Sequence, residues 1–318
     1  MVVLGATADA PPPGIGTIED AVDLVFADSV PDLARSLPGA DVLFAWRPKG
    51  DLLAGAWDHA TDLKWIQTAS AGVDRLLFPE LARSHVVVTN ARGVFDEAIA
   101  EYVLGLLLVF SKGLLGVLDA QRRAEWEHRP TERLEGRRVL VAGIGSIGRA
   151  IGRSARTFRM EVRGLARTAR PREGVFERIY GADELDEAVR WADDVVNVLP
   201  STEETRGLFG TAAFGAMNPW TRFVNVGRGA TVDETALVDA LASGRIAAAG
   251  LDVFEEEPLP PESPLWAMPN VVVSPHVSGD YVGWQEAAVE LFVDNLQRYL
   301  LGRPLRNVVD TSRGYVPS

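Results

Sequence analysis

Three ionisable residues, Arg228, Glu257 and His276, each follow an apolar, strand-like run. An imidazole beside a carboxylate stays protonated at higher pH and can donate a proton to a forming alkoxide at neutrality. A guanidinium fork can hold a carboxylate and polarise the adjacent carbonyl, a geometry that lysine would not reproduce. Each residue alone is more often a satisfied structural polar group. Three at successive strand ends indicate an acid–base site suited to hydride transfer.

A glycine loop, residues 143–148, connects an apolar strand-like run to a helix start. In such a loop the first glycine permits a tight turn, the second lets a pyrophosphate approach the backbone, and the third lets helix and strand touch. The helix N-terminus then stabilises negative charge. Turn glycines without a ligand are the alternative interpretation. The loop predicts dinucleotide binding by Gly143, Gly145, Ser146, Ile147 and Gly148.

Cofactor choice is indicated past the next strand, where Ala166 stands at the position that usually presents Asp or Glu to the ribose hydroxyls. Arg167, Thr168 and Arg170 follow it. Two guanidinium groups and a hydroxyl would bind a ribose 2′-phosphate that a carboxylate would repel. The loop therefore predicts NADP, with NADPH preferred and NAD as the alternative, although a solvated basic loop has the same composition.

Composition limits the function classes. The 318 residues are 47% hydrophobic, which is enough for a large core and two domains. A net charge of −12 disfavours nucleic acid and membrane partners, and any anionic substrate needs local cations. The chain has no cysteine, so thiol nucleophiles and thiolate metal sites are excluded, and no metal site is predicted. The N-terminal residues read as a first strand rather than a signal peptide, which indicates a cytoplasmic location.

Short apolar runs alternate with helical stretches along the chain, which favours parallel sheets covered by helices on both faces, an α/β fold. The main domain boundary is expected just before a helix at Asp96–Gln121. This helix is apolar nearly all round but contains Ser111 and Lys112, so it predicts a buried helix at a domain or subunit interface rather than a membrane span. The predicted strands are residues 1–5, 23–26, 40–45, 63–68, 86–89, 138–142, 161–165, 194–199, 222–226, 248–253 and 271–274.

Several motifs in one order resemble those of the D-isomer-specific 2-hydroxyacid dehydrogenase family across nearly the whole chain. They include a substrate-carboxylate loop, a cofactor loop and the stretches around the three ionisable residues. This combination is highly specific. The stretches are SAGVD at 70–74, TNARG at 89–93, GIGSIG at 143–148, LPSTEETRG at 199–207, NVGRG at 225–229, LDVF at 251–254, Glu257-Pro258 and Pro275-His276.

The resemblance implies two doubly wound parallel-sheet domains with the active cleft between them. A discontinuous, flavodoxin-like substrate domain would comprise residues 1–98 and 288–318. A Rossmann dinucleotide-binding domain would comprise residues 99–287. Members are typically homodimers, and in this chain the Asp96–Gln121 region is the expected dimer contact.

The resemblance also implies residue roles. His276 would act as acid and base, Glu257 as its partner, and Arg228 would bind substrate. The loop at Ser70, Ala71 and Gly72 would hold the substrate carboxylate, in part through backbone amides. Asp252 would face the nicotinamide amide. The further cofactor contacts would come from Leu199, Pro200, Thr205, Val226, Gly227 and Gly279.

The subgroup that the chain resembles most is the glyoxylate/hydroxypyruvate reductases, on the stretches at 44–48 and 167–168. Trp46 would shape the pocket, or simply pack. The chain departs from the family pattern after His276, where Asp280 and Tyr281 bring a carboxylate and an aromatic ring near the nicotinamide. Trp266 and Trp284 could close the pocket, but core or interface packing is the expectation. The absence of an appended regulatory domain weighs against the longer phosphoglycerate dehydrogenases.

The expected function is therefore NAD(P)H-dependent reduction of a small 2-oxo acid, similar to glyoxylate or hydroxypyruvate, to the D-2-hydroxy acid, with the reverse oxidation. The alternative is a dinucleotide-sensing regulatory or scaffold protein, since corepressors share this fold. Intact Arg228, Glu257 and His276 favour the enzyme.

Overall fold

The computed structural model describes residues 1–317. The chain forms two compact units, one made of residues 1–95 together with the segment from Tyr281 onward, the other of Asp96–Asp280. The sequence-based division lay after residues 98 and 287. The roles assigned to the two domains stay predictions.

A five-stranded parallel sheet organises the first unit, in the order β2-β1-β3-β4-β5. This is the flavodoxin-like doubly wound order, in which the chain starts inside the sheet and winds in both directions. Its strands are largely buried apolar runs, as expected when helices cover both faces. The elements are β1 (Val2–Leu4), β2 (Val25–Ala27), α1 (Val30–Ser36), β3 (Val42–Ala45), α2 (Gly50–Gly55), β4 (Trp65–Thr68), α3 (Pro79–Arg83) and β5 (Val87–Thr89).

A seven-stranded parallel sheet organises the second unit, in the order β12-β11-β10-β9-β6-β7-β8. Read from its first strand, this is the Rossmann winding, so the α/β fold class is confirmed. The elements are α4 (Asp96–Ser111), α5 (Leu114–Arg122), β6 (Arg138–Ala142), α6 (Ser146–Thr157), β7 (Glu161–Leu165), β8 (Ile179–Tyr180), α7 (Leu185–Trp191), β9 (Asp194–Asn197), α8 (Thr211–Ala216), β10 (Arg222–Asn225), α9 (Glu234–Ala242), β11 (Ala248–Leu251) and β12 (Val271–Val273).

The last helix, α10 (Trp284–Leu300), belongs to the first unit. Its Phe292 stacks on Phe44 with ring centroids 4.2 Å apart and lies 5.5 Å from Trp65. These fully buried rings tie the C-terminal helix to one face of the five-stranded sheet. A unit built from two separate segments of the chain needs such an attachment.

The single helix predicted at Asp96–Gln121 is wrong. Two helices, α4 and α5, meet at a 63° bend. Gly113 lies between them with φ 60°, the left-handed conformation that ends a helix and that glycine adopts at little cost. Among residues 1–317 no single helix is long and apolar enough to cross a membrane; only this bent pair passes that test jointly, by length and composition.

Strand positions agree with the sequence expectations, and β6 and β7 match them residue for residue. The predicted strands that preceded the ionisable residues extended too far, because the apolar run continues past the last ladder residue into the loop. The two-residue β8 has no counterpart among the predicted strands. A run of two residues is too short to show a strand period.

Candidate active site

Strands β10, β11 and β12 are neighbours in the seven-stranded sheet, with Asn225 paired to Leu251 and Leu251 to Val273. Because carboxyl ends of parallel strands meet at one edge, the three loops that follow lie side by side. These loops carry the three residues predicted to be catalytic, Arg228, Glu257 and His276. The sequence predicted three strand ends, and the sheet order makes them adjacent.

His276 and Glu257 are in direct contact, with Nδ1 of the imidazole 2.9 Å from Oε2 of the carboxylate. The other carboxylate oxygen of Glu257 accepts a hydrogen bond from the Phe254 N–H at 3.2 Å, which fixes its orientation. The imidazole is 41% exposed. An N–H at Nδ1 that donates to Glu257 leaves Nε2 as the nitrogen for proton exchange with a bound molecule.

Arg228 is the half-buried third member of this group. Glycines on both sides of it allow the turn to pass close to other backbone: a Cβ at Gly227 would lie 2.8 Å from the Leu199 oxygen, and a Cβ at Gly229 would lie 1.8 Å from the Phe254 carbonyl carbon. The Arg228 carbonyl accepts the Thr231 hydroxyl at 2.6 Å. This turn is therefore held rigidly by packing and hydrogen bonds, which suits a guanidinium that must hold an anion in one orientation.

Asp252 holds the loop that carries His276. Its fully buried carboxylate accepts the Ser274 hydroxyl at 2.6 Å and the N–H groups of Val277 and Ser278 at 2.9 Å each. His276 itself has φ 57°, an uncommon conformation for a residue with a Cβ, so the loop needs such support. Sequence reasoning assigned Asp252 only to the nicotinamide amide, which stays a prediction, and it missed this positioning role.

Asp280 follows in the same loop, where its N–H donates to the Val277 carbonyl at 2.9 Å. Partial burial raises the pKa of the Asp280 carboxyl, His276 lowers it and the Asp252 carboxylate raises it again. A second carboxylate therefore lies within electrostatic range of the imidazole. Gly279, predicted to touch the cofactor, precedes it and is half-buried.

The glycine loop fits a dinucleotide phosphate. Gly143 has φ 101°, and a Cβ there would stand 2.9 Å from the Val198 oxygen. A Cβ at Gly148 would stand 1.9 Å from the Gly143 oxygen, whereas one at Gly145 would meet no atom within 4 Å. Two glycines thus permit close backbone packing, and the third leaves space where a phosphate would approach. Helix α6 begins at Ser146, directly after Gly145, and has no side-chain cap. Its first N–H groups are therefore available to an anion.

The predicted 2′-phosphate loop lies after β7, and its side chains are exposed. Arg167 contacts Glu204 at 3.0 Å, and Arg170 contacts Glu173 at 2.8 Å. Both guanidinium groups therefore have a surface carboxylate partner, a detail that sequence spacing did not reveal. Exposed pairs of this kind are weak, typically about 0–1 kcal/mol, so a phosphate dianion could replace the carboxylate.

The remaining predicted cofactor contacts lie on the loops after β9 and β10. Sequence reasoning missed the buried cluster that shapes these loops: the Asn197 amide donates to Asn225 at 3.0 Å and to the Thr231 hydroxyl at 2.6 Å. Asparagines at the ends of two neighbouring strands were the available signal. The Thr205 hydroxyl donates to the Pro200 carbonyl at 2.6 Å. The predicted contacts on these loops are Leu199, Pro200, Thr205, Val226 and Gly227.

In the first unit, the predicted carboxylate loop turns sharply after β4. The Ser70 hydroxyl donates to the Gly72 carbonyl at 2.6 Å, and the Asn90 amide donates to the Ala71 carbonyl at 2.5 Å. Within residues 1–317, the N–H groups of Ala71 and Gly72 donate to no protein acceptor. The loop therefore has fixed carbonyls and two available donors.

The tryptophans differ from one another. Trp46 stacks on Trp284, with ring centroids 5.8 Å apart and planes at 14°, and Trp284 also contacts Phe95. Packing within the first unit therefore accounts for Trp284. Trp266 is 53% exposed and donates its indole N–H to the Pro260 carbonyl, so it does not pack in the core, and packing at an interface stays a prediction.

A Rossmann-type unit with a glycine loop, together with an imidazole–carboxylate pair at adjacent strand ends, is typical of a nicotinamide-dependent dehydrogenase. Residues 104–278 match the family model of the D-isomer specific 2-hydroxyacid dehydrogenase NAD binding domain. The chain belongs to the D-isomer specific 2-hydroxyacid dehydrogenase family and is an oxidoreductase of that class.

Curated relatives agree with this assignment. Over 255 residues the chain is 37% identical to glyoxylate/hydroxypyruvate reductase B of Citrobacter koseri, covering 78% of each chain. It is 31% identical to a glyoxylate reductase of Thermofilum pendens, covering 92% of this chain and 89% of the relative.

Solved structures agree as well. A D-isomer specific 2-hydroxyacid dehydrogenase from Xanthobacter autotrophicus Py2, in complex with NADPH and MES, is 31% identical with a TM-score of 0.81, covering 99% of this chain and 100% of the other. An NADPH-dependent glyoxylate/hydroxypyruvate reductase from Sinorhizobium meliloti, in complex with NADP and sulfate, is 28% identical with a TM-score of 0.84 and covers 99% of both chains.

Proposed function

We propose that this protein reduces a small 2-oxo acid of the glyoxylate or hydroxypyruvate type to the D-2-hydroxy acid, with NADPH as the preferred cofactor. The observation that carries the proposal is the 2.9 Å contact between His276 and Glu257. Glu257 follows β11, which is the neighbour of β10, the strand that precedes Arg228. Relatives named as glyoxylate and glyoxylate/hydroxypyruvate reductases support the substrate class.

The reaction needs one hydride and one proton. The bound dinucleotide would supply the hydride to the substrate carbonyl carbon. His276 would donate the proton from Nε2 to the carbonyl oxygen as the hydride reaches the carbon and the carbon–oxygen double bond becomes a single bond, and would recover a proton from solvent afterwards. Glu257 stabilises the imidazolium before the transfer and holds the ring at Nδ1. In the oxidative direction the same nitrogen would accept the proton.

Arg228 would bind the substrate carboxylate and polarise the carbonyl, because a guanidinium can donate two parallel hydrogen bonds. The available N–H groups of Ala71 and Gly72 would hold the same class of anion, with Ser70 shaping the turn. Trp46 would contribute an apolar wall. The residues 1–98 and 288–318 would form the substrate domain, and residues 99–287 the dinucleotide domain.

The cofactor would lie on the glycine loop, with its pyrophosphate at the N-terminus of α6 and its 2′-phosphate on Arg167, Thr168 and Arg170. Similar proteins solved with NADPH and with NADP support the class of cofactor. Asp252 would also accept a hydrogen bond from the nicotinamide amide. NAD is the alternative cofactor.

We also propose a homodimer through the α4–α5 region. This region presents exposed apolar side chains at its surface, namely Leu114, Val117 and Leu118 on α5 and Trp126 beyond it. An exposed apolar cluster of this kind is typical of a protein interface. A cytoplasmic location would give the enzyme access to the reduced dinucleotide pool. Neither nucleic acid nor membrane is proposed as a partner.

The direct test is to incubate the protein with NADPH and a panel of 2-oxo acids and follow the reduced-nicotinamide absorbance. We expect turnover with glyoxylate and hydroxypyruvate, and the D-enantiomer of glycerate from hydroxypyruvate by chiral chromatography. Tight NADPH binding with no oxidation by any member of the panel would contradict the proposal and favour a dinucleotide-sensing protein.

A further inference from the structure

A second glutamate lies behind the imidazole–carboxylate pair. Glu234 is the first residue of α9, and its carboxylate accepts the N–H of Glu255. In return the Glu255 carboxylate accepts the N–H of Glu234 at 3.4 Å. The two residues therefore join the start of a helix to the loop after β11 through reciprocal hydrogen bonds.

The loop held in this way is the one that presents Glu257. Its ends are defined by Phe254, which donates its N–H to Glu257, and by Glu257, which contacts His276. Glu255 is the residue after Phe254, so its attachment to α9 restrains the main chain just before the catalytic carboxylate. A displacement of about 1 Å at such a carboxylate can reduce turnover by about two orders of magnitude.

Helix α9 is a firm support for this contact. Asp233 caps it by accepting the Ala236 N–H at 2.9 Å, and its inward side chains, Leu237 among them, lie in the core of the second unit. Neither of these features depends on the Glu234 side chain. Loss of that side chain should therefore release the loop without unfolding the helix.

Electrostatics links the same residue to the pair. Partial burial raises the pKa of the Glu234 carboxyl, the hydrogen bond from the Glu255 N–H lowers it, and the carboxylates of Glu255 and Glu257 raise it. The repulsion is mutual, so an ionised Glu234 acts on the Glu257 carboxylate, which contacts His276. The other charged groups near the pair are Asp280, which interacts with His276, and Asp252, which binds the His276 loop; the substitutions proposed below leave both residues in place.

We propose that Glu234 is a positioning residue for the reaction, which holds the 255–257 loop against α9 and thereby orients Glu257 toward His276. This rests on the proposed acid–base role of that pair. Glu234 does not touch the reacting atoms in this assignment; it acts through Glu257.

Two variants separate position from charge. Glu234→Ala removes both the hydrogen-bond acceptor for the Glu255 N–H and the negative charge. We expect kcat with glyoxylate and NADPH to fall about ten-fold, with the Kd of NADPH changed less than about two-fold. Glu234→Gln keeps an oxygen that can accept from the Glu255 N–H. We expect it to retain most of kcat, while the alkaline midpoint of the pH profile of kcat/KM moves down by about half a pH unit. Glu256→Gln, an exposed neighbour in the same loop, is the matched control and should change neither quantity.

A readout without substrate completes the test. The His276 ring titration, followed by proton NMR and assigned with His276→Ala, should move to lower pH in Glu234→Gln and stay unchanged in Glu256→Gln. Suppose that the wild type turns over 2-oxo acids, but kcat is unaltered in Glu234→Ala and the titration is unaltered in Glu234→Gln. This result would overturn the proposed role of Glu234 and leave the proposed function standing. Absence of turnover in the wild type would instead reject the proposed function, and the NMR titration would still decide whether Glu234 is coupled to His276.

Discussion

Gly229 packs directly against Phe254: a Cβ on residue 229 would stand 1.8 Å from the Phe254 carbonyl carbon. This contact joins the turn that carries Arg228 to the loop that presents Glu257, backbone against backbone. A guanidinium and a carboxylate on the loops after two neighbouring strands thus share one rigid support, and any side chain at residue 229 must push these loops apart.

Gly229→Ala should therefore damage both stability and activity. We expect the free energy of unfolding to fall by at least about 1–3 kcal/mol, and kcat to fall by about ten-fold or more, because the two loops move apart. Urea unfolding and steady-state kinetics measure these effects. Gly215→Ala, at an exposed helical position with no atom near the added Cβ, should be neutral or slightly stabilising. Equal effects of the two substitutions would contradict the packing argument.

His276→Ala should remove the proton donor and leave the cofactor site intact. We expect kcat to fall by about 10²- to 10⁴-fold while the Kd of NADPH, measured by fluorescence titration, changes little. His85→Ala, an exposed histidine of the first unit, serves as the control and should retain activity. Parallel losses of turnover and NADPH affinity would count against the acid–base role.

Replacing Arg167 and Arg170 with Ala should weaken NADPH selectively. Loss of charged hydrogen bonds to a 2′-phosphate should raise the KM of NADPH by about ten- to hundred-fold, while NADH changes less than about two-fold. An unchanged ratio of NADPH to NADH efficiency would remove this assignment and leave the exposed loop without a cofactor role.

Removing the carboxylate that is paired with Arg167 should have the opposite effect and strengthen NADPH binding. Glu204→Gln removes an anion that contacts Arg167 at 3.0 Å and would compete with the phosphate. We expect the KM of NADPH to fall by about two- to five-fold with NADH unaffected, since exposed ion pairs are weak. Glu203→Gln, its exposed neighbour, is the control. The same gain from both variants would indicate a general charge effect rather than competition at Arg167.

Asp193 should make the second unit sensitive to acid. Burial alone would raise the pKa of its carboxyl, but hydrogen bonds from Arg138 and Trp220 lower it to about 2. The folded-state pKa lies below the ordinary value of 3.8, so the stabilisation is present above about pH 4 and is lost as the pH falls toward 2. Asp193→Asn should cost about 2 kcal/mol near neutrality, with the difference from wild type shrinking below about pH 4 in urea titrations. A difference independent of pH would contradict this ionic role.

The proposed homodimer contact can be broken with a charge. Leu118→Glu places a carboxylate on the exposed apolar side of α5, where desolvation would oppose burial in an interface. We expect light scattering to show a dimer for the wild type and a monomer for this variant. Leu300→Glu, exposed at the end of α10, should leave the dimer intact. A monomeric wild type would reject the contact.

The sequence alone determined the fold class, the family and the strand ends that carry Arg228, Glu257 and His276. These depend on local patterns, such as apolar runs, glycine spacing and motif order, that are written along the chain. The break at Gly113 was less accessible, because a single glycine inside an apolar stretch does not show whether its backbone is left-handed.

Only the tertiary structure decided which strand ends are neighbours and what holds the loops between them. The pairing of β10 with β11 and of β11 with β12 brings His276 to 2.9 Å from Glu257, and buries Asp252 beneath the loop that follows. The contact between Glu234 and Glu255 arises in the same way. Such contacts join residues that are far apart in the chain, and their geometry depends on backbone packing that no local sequence pattern encodes.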